Sequence, residues 1–562
     1  MEYYLLGIGI LIYIIVVFLY GIYRKKKQRK IMRQQSRDQY GKYPSKQYKV
    51  EQYESISHYC TMRGKSEELI DEITWNDLEM EQLFQAMNHT ASSTGEEYLY
   101  YLLHRPLESR EELEKRNGRI HGYSQDESLR VDLMQIFKEL GSTGKFSIVD
   151  YIHLLDTITH TSNMASYVLN GMILLGGIIT CYKAVIGCSI IVTGVIIQMA
   201  RYFKRKREIE PYFISFSYLV RLLQAAKAIN KMQGEPLKEV EDEFNQCFHR
   251  LKGFERGMFL FANKLSGNLE EVILDYVKMI FHLDLIRFHQ MLALVQREKH
   301  TFLHLLSLVG EIEAEIAITY YRAWLPYWCV PTFLEEGALE QEGLYFPLIQ
   351  EAVPNSITAS KGILLTGSNA SGKSTFLRGV AVNCIMAQTI VTCAAHKVAM
   401  PLAHIYSSIA IRDNVLEADS YYLAEIKSIK RILDASRTSK VPVYCFIDEV
   451  LRGTNTVERI AASTQILKML AGGRGICFAA THDIELTWLL KEWYDNYHFQ
   501  EELQEDDIFF DYTIQSGPAT SRNAIFLLKT MGYEEEIITQ ANEMANGFIE
   551  EGIWKQVIGR KD

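Results

Sequence analysis

Apolar runs, amphipathic stretches and short strand-like segments succeed one another along this chain, and each pattern predicts a different element. Tyr3 to Tyr23 holds 21 consecutive positions without a charged residue. As a helix that run can cross a hydrocarbon core of about 30 Å. Arg24, Lys25, Lys26, Lys27, Arg29 and Lys30 follow it directly, and Glu2 precedes it. A cleaved leader has its positive charge ahead of the apolar run, so this order predicts an uncleaved anchor with a cytoplasmic basic flank. A second apolar zone, Ser166 to Ala200, is broken only by Lys183 and is followed by Arg201, Lys204, Arg205, Lys206 and Arg207. It predicts two short helices joined near Tyr182-Lys183, a hairpin with both ends cytoplasmic. The alternative is a buried helical pair in a soluble domain. The two basic runs read as positive-inside flanks, with nucleic-acid-binding arms as the other reading.

Residues 208–325 carry amphipathic helical patterns, such as Ile312 to Tyr320. The pattern then changes. Lys361 to Thr366, Val441 to Ile447 and Gly475 to Ala480 are short apolar runs of the kind that form buried strands, with helical patterns between them. The expected fold is therefore multidomain α and α/β: a helical region, then a mostly parallel sheet flanked by helices, with an N-terminal transmembrane helix and a transmembrane hairpin. With 562 residues there is length for several domains. The net charge of −9 argues against a chain coated throughout for nucleic acid, while leaving room for a local basic groove. Nine scattered cysteines without a C-x-x-C pair read as reduced structural thiols.

The chemistry concentrates at the ends of the strand-like runs. After Thr366 comes Gly367-Ser368-Asn369-Ala370-Ser371-Gly372-Lys373-Ser374, then a helical pattern opening at Thr375. This is G-x-x-x-x-G-K-S in the strand–loop–helix setting that a phosphate-binding loop requires. The glycines allow backbone N–H groups to face phosphate oxygens, and the helix start adds its positive dipole end. Lys373 is expected on the β/γ phosphates and Ser374 on magnesium. The second run ends in Asp448-Glu449. An acid at such a strand tip holds magnesium, which suits Asp448, and Glu449 can take a proton from an attacking water. The third run delivers Thr481-His482, placing His482 where it could sense the γ-phosphate. The expected activity is Mg²⁺-dependent hydrolysis of ATP, with Lys373, Glu449 and His482 catalytic. Gly367 to Thr375 would hold the nucleotide, and Ser374 and Asp448 the metal.

With these segments in hand, the chain resembles the MutS family of DNA mismatch-repair ATPases, which is related at the ATPase level to ABC-type proteins. Asp448-Glu-Val-Leu-Arg-Gly-Thr-Asn-Thr456 is similar to the family's D-E-x-x-R-G-T-x-T segment, and Ala480 to Thr487 to its A-T-H-x-x-E-L segment. Asp419 to Glu425 matches the signature helix whose serine reaches a partner's nucleotide. The resemblance thus implies that Ser420 completes an ATP site in trans, in a homodimer. The stretch Tyr512 to Ala524 and the helical Leu527 to Ala545 look like the family's dimer-packing end. Phe346 stands where relatives commonly have histidine. Similarity is strong over about 346–545 and weaker over most of 70–345, where Trp75 to Arg116 looks like the start of the helical core or lever domain.

The resemblance implies a dimeric clamp on duplex, mismatched or branched DNA. The expected domains are 1–30, anchor; 31–165 and 202–345, helical core and lever; 166–201, hairpin; 346–562, ATPase. No segment resembles the family's N-terminal mismatch-recognition domain, so direct mismatch sensing is not expected. The expected location is the cell membrane, with the ATPase domain in the cytoplasm. The rival reading is a membrane-anchored ABC-like ATPase acting on membrane or protein partners without DNA. An L-S-G-G-Q transporter signature is not found between Ala370 and Asp448.

Overall fold

The computed structural model describes the chain apart from residues 1, 45, 47, 49, 65–68, 145, 159–161, 210–211, 257–275, 369–370, 410–420, 452–453, 505–506, 520–524, 526–527, 529–530 and 555–562, and apart from the side chains of 2–15, 17–18, 25, 50–52, 208, 214, 421, 501–504, 507–508 and 549. The described residues form two compact units. One comprises Met1–Glu68, Gln85–His104 and Glu114–Trp324, and the other Leu69–Phe84, Arg105–Leu113 and Leu325–Asp562.

The first unit is helical. Its opening helix runs Glu2–Asp38 without a break, so the apolar run continues directly into the basic flank. The side chains of most of the apolar run lie outside the described residues. Beyond it, arginines one helical turn apart meet the acids of the Glu127–Leu140 helix. Arg29 pairs with Glu139 at 2.7 Å, Arg33 with Asp132 at 2.7 Å and Arg37 with Glu127 at 2.8 Å.

The second apolar zone forms two helices, Met164–Thr180 and Ala184–Ile209, packed as a hairpin. The chain turns at Cys181-Tyr182-Lys183, where the charge interrupts the apolar pattern. Ala184–Arg207 is long and apolar enough to span a membrane, whereas Met164–Thr180 is shorter. Glycines let the two helices approach closely. A Cβ on Gly187 would fall 2.3 Å from the Thr180 backbone nitrogen, and one on Gly194 would fall 2.9 Å from Ile173. Away from that contact Leu174, Leu175, Ile178, Val185, Val192 and Ile196 are exposed. A buried helical pair, the alternative reading of this zone, would not leave so many large apolar side chains uncovered.

Two glutamates on the long Lys299–Trp324 helix are fully buried. Glu313 accepts from the Ser92 N–H at 2.9 Å, and also from the Ala91 N–H and the Ser92 hydroxyl. Glu315 meets Arg119 at 2.6 Å. Burial pushes both carboxyls up to about 7.

The second unit holds two sheets. A four-stranded sheet has the order β1-β5-β2-β3, with β1 (Thr332–Leu334), β2 (Leu339–Leu344), β3 (Asn355–Ala359) and β5 (Lys397–Pro401). A six-stranded sheet has the order β10-β9-β4-β8-β7-β6, with β4 (Gly362–Thr366), β6 (His404–Ser408), β7 (Val443–Asp448), β8 (Gly475–Ala480), β9 (Tyr494–Gln504) and β10 (Asp507–Ser516). Five of its strands are parallel, and only β10 runs against its neighbour. Both faces of the central strands are covered, which explains why they read as continuous apolar runs. Cys445, Ile447, Cys477 and Leu364 pack with Ile429, Ile432 and Leu467 from two helices, Tyr421–Thr438 and Thr456–Ala471. Phe446 and Phe478 stack at 5.1 Å, and the Lys373–Ile390 helix packs against β7 and β8.

The family resemblance places Trp75 to Arg116 at the start of the helical core, whereas residues 69–84 and 105–113 cluster with the sheets. Their polar side chains finish the edge strand β6. The Thr74 hydroxyl accepts the Ser407 N–H at 3.1 Å, and Asp77 accepts the Ser407 hydroxyl at 2.9 Å and the Ile409 N–H at 2.8 Å. Asp71 caps its own helix through Thr74 N–H and pairs with Arg431. An open sheet edge offers unpaired backbone groups, and this segment satisfies them.

The buried glutamates give a pH prediction. A carboxyl whose folded value is raised keeps its full contribution below the unfolded value, about 4.3, and loses it as pH rises through about 7. For Glu313 the loss is about 3 kcal/mol. Glu313→Gln mimics the protonated form. Its melting temperature relative to wild type should therefore rise between pH 5.5 and 8, measured by calorimetry. A difference independent of pH would show that Glu313 is charged throughout.

Candidate active site

Strand β4 sits in the middle of the six-stranded sheet and runs into residues 367–372, after which the Lys373–Ile390 helix begins. Two glycines make this turn possible. Gly367 has φ 141°, and a Cβ there would come within 2.8 Å of the Phe499 carbonyl oxygen. Gly372 caps the helix at φ 106°, where a Cβ would meet the Tyr512 ring at 3.2 Å. Lys373 is buried, and its ammonium donates to the carbonyls of Gly367 and Ser368, both at 2.7 Å. The Ser371 hydroxyl is buried without a hydrogen-bond partner among the described residues. Such an orphan donor inside a loop of this shape suits a phosphate oxygen. Asn369 and Ala370 lie outside the described residues, as do Ser420 and the Arg452-Gly453 pair. The Tyr421–Thr438 helix nevertheless begins just after Ser420, where the sequence pattern expects it.

The other site residues come from neighbouring strand tips. Leu365 of β4 and Asp448 of β7 both lie level with Ala480 of β8. This register brings the Ser374 hydroxyl into a hydrogen bond with the Asp448 carboxylate. Glu449 follows at φ 55°, a left-handed conformation, held by its N–H donating to the Ala480 carbonyl at 2.9 Å. Thr481 N–H donates to the Leu365 carbonyl at 2.9 Å, which fixes the start of the next turn. His482 Nε2 then reaches Glu449 Oε1 at 2.8 Å. Beside it Asp483 forms a two-pronged pair with Arg459, at 2.8 and 2.6 Å.

A cleft of about 550 Å³ opens over the loop, lined by Ser368, Ser371 to Thr375, Asp448 and Glu449 on its polar side. Phe346, Ile349, Val353, Phe499 and Tyr512 form an apolar wall. That combination accommodates a flat apolar ring system with a polyphosphate tail. His482 is joined to the cleft through Glu449. The Ser374 hydroxyl and the Asp448 carboxylate are adjacent hard oxygen donors, so they fit magnesium, which takes few protein ligands and completes its shell with phosphate and water. Among the described residues no cluster of three His, Cys, Asp or Glu side chains could hold a metal.

No pattern in the sequence gives the apolar wall a role. Tyr512 reaches the cleft because it sits at φ 54° on an irregular stretch of β10. The Asn355 amide props that stretch, donating to the Tyr512 carbonyl at 2.9 Å and accepting the Ile514 N–H at 2.8 Å. Asn355 and Tyr512 both fall within the stretch of about 346–545 where the family resemblance is strong, Tyr512 at the start of one of its segments, and this was the available signal.

Residues 363–549 match the family model of MutS domain V. The DNA mismatch repair protein MutS of Leptospira interrogans is 27% identical over 291 residues, covering 49% of this chain and 34% of the relative. The DNA mismatch repair proteins MutS of Natronomonas pharaonis and Thermus thermophilus are each 29% identical, over 252 and 213 residues. These alignments cover 42% and 37% of this chain, and 29% and 26% of those relatives. The chain thus spans at most about a third of the length of the relatives it matches. The match to MutS domain V takes in the phosphate-binding loop and the Asp448, Glu449 and His482 strand tips alike, so over this stretch the chain is similar to the MutS family.

Proposed function

We propose that this protein is a membrane-anchored, Mg²⁺-dependent ATPase of MutS type whose hydrolytic cycle operates a homodimeric clamp on duplex, mismatched or branched DNA. The observation that carries the ATPase reading is the convergence of the Ser374–Asp448 contact and the Glu449–His482 pair beside a phosphate-binding loop. In this reading the loop N–H groups, the Ser371 hydroxyl and Lys373 bind the phosphates of ATP. Lys373 exchanges its loop carbonyls for phosphate oxygens. Ser374 and Asp448 hold Mg²⁺, which neutralises charge on the phosphates. Glu449 accepts a proton from water as the water oxygen bonds to the γ-phosphorus. The bond to the bridging oxygen breaks, and ADP leaves with the electron pair. His482 holds the Glu449 carboxylate in place and faces the departing phosphate. The apolar wall at Phe346 and Tyr512 takes the adenine. Ser420 of a second copy completes the site in trans.

DNA as the cargo is supported by the relatives' mismatch-repair names. Attachment to the cell membrane, with the ATPase unit cytoplasmic, is supported by the uncharged run Tyr3–Tyr23 and the exposed apolar faces of the hairpin. One observation favours the reading without DNA: Arg29, Arg33 and Arg37, which could have formed a nucleic-acid arm, are engaged by carboxylates.

Three outcomes test the proposal on the full chain in detergent. Glu449→Gln should lower kcat by about 10² to 10⁴ while ATP still binds; undiminished turnover removes Glu449 as the base. Asp448→Asn keeps a partner for Ser374 but removes the charge, so the Mg²⁺ concentration for half-maximal rate should rise about tenfold or more. An unchanged requirement places the metal elsewhere. Homoduplex, mismatched or branched DNA should change the ATPase rate, with an affinity that falls steeply between low and high salt. Turnover with no response to any DNA at low salt would leave the ATPase standing and assign it to membrane or protein partners.

A further inference from the structure

A cavity of about 770 Å³ opens in the helical unit between the first helix at Gln28 to Arg33, the end of the Glu127–Leu140 helix, and the Phe213–Ile229 helix. Four cations line it, Arg29, Arg33, Lys138 and Arg221, against two carboxylates, Asp132 and Glu139. Both carboxylates are engaged. Arg29 binds Glu139 through two hydrogen bonds, at 2.7 and 3.0 Å, and Arg33 pairs with Asp132.

The other two cations have no carboxylate partner among the described residues. Lys138 Nζ donates to the Met32 carbonyl at 3.2 Å. The Arg221 guanidinium rests on the Tyr218 ring, 5.4 Å from its centroid, and its buried Nε has no acceptor. A Cβ on Gly141 would lie 3.8 Å from both Arg221 Nη1 and the Lys138 carbonyl oxygen, so the guanidinium lies beside the turn that ends the Lys138 helix. Partial burial holds the Lys138 ammonium below the usual lysine range by desolvation. Ile136, Leu140, Ala225 and Met232 add apolar lining.

We propose that this cavity binds a phosphate-bearing anion, with Arg221 and Lys138 as the residues that recognise it. The surplus of two positive charges matches a phosphate group. The arginine fork suits two of its oxygens, and Lys138 supplies a point charge to a third. The apolar lining accommodates the start of an attached hydrocarbon. Gln28 lies five residues beyond Tyr23, about 8 Å along the helix, so an anionic phospholipid head group is within reach of the site. A soluble phosphate shares the same chemistry. The site is separate from the phosphate-binding loop, and the proposal holds whether or not the chain hydrolyses ATP.

The test is the melting temperature of the full chain in detergent, titrated with dioctanoyl-phosphatidylglycerol, dioctanoyl-phosphatidylcholine or sodium phosphate. Phosphatidylglycerol should raise it by about 2 °C or more, and phosphatidylcholine should not. An equal rise with sodium phosphate identifies a soluble phosphate as sufficient. Arg221→Gln should abolish the rise, and Lys138→Gln should reduce it, each measured against its own ligand-free value. If either variant does not fold, the other decides. The Arg221 and Lys138 dependence also separates this site from Lys373. No rise with any anion, or a rise unaltered in the folded variants, overturns the proposal.

Discussion

The register of three parallel strands is the constraint on which the site depends. Leu365, Ala480 and Asp448 lie in one row across β4, β8 and β7. Each strand ends within a residue or two of that row, so the groups that follow converge at one edge of the sheet. A slip of one residue in a strand turns every side chain to the opposite face. Here it would also carry Asp448 away from Ser374, or His482 away from Glu449. The double-sided core resists such a slip. Cys445, Ile447 and Cys477 face one helical layer, while Phe446 and Phe478 face the other. The apolar side chains that stabilise the sheet thereby also set the positions of its polar tips.

Backbone strain recurs at the same edge. Glu449, Leu451 and Tyr512 have φ of 55°, 61° and 54°, conformations that side chains larger than glycine seldom adopt. Glu449 and Tyr512 line the cleft, and Leu451 follows two residues after Glu449. Each such residue costs of order 1–3 kcal/mol and persists where its surroundings over-determine it. Here the surroundings are visible: the Ala480 carbonyl holds the Glu449 N–H, and the Asn355 amide holds both sides of Tyr512. The strain directs a carboxylate and an aromatic ring into the cleft, which an extended strand ending would not do.

Much of this edge was legible in the sequence because its signals are local. A run such as Gly475 to Ala480 can be buried on both faces only in a covered sheet, and the glycines at 367 and 372 announce a turn that other residues resist. The hairpin turn at Tyr182-Lys183 was legible for the same reason, as a charge within an apolar run. Other features depend on partners distant in sequence. Residues 69–84 have the amphipathic look of any core helix, and nothing local reveals that Thr74 and Asp77 satisfy the edge of β6, some 330 residues away. Phe499 was silent as well, because an aromatic residue in a strand reads as core until the backbone turns it into a cleft.

The basic flank shows how position alone can mislead about charge. Arg29, Arg33 and Arg37 belong to a positive stretch that suits either a membrane surface or a nucleic acid. Their four-residue spacing places them along one helical face, and the acids of Glu127–Leu140 meet that face from 90 to 110 residues away. Exposed pairs of this kind contribute little individually. A series of three does fix the rotation of one helix against another, since all three match only at one setting. The helix that begins as the apolar run is continuous through these arginines, with no break between Glu2 and Asp38. The Glu127–Leu140 helix therefore contacts the same continuous helix that carries the apolar segment. A flexible linker would leave the apolar segment independent, whereas the unbroken helix makes it structurally part of the helical unit.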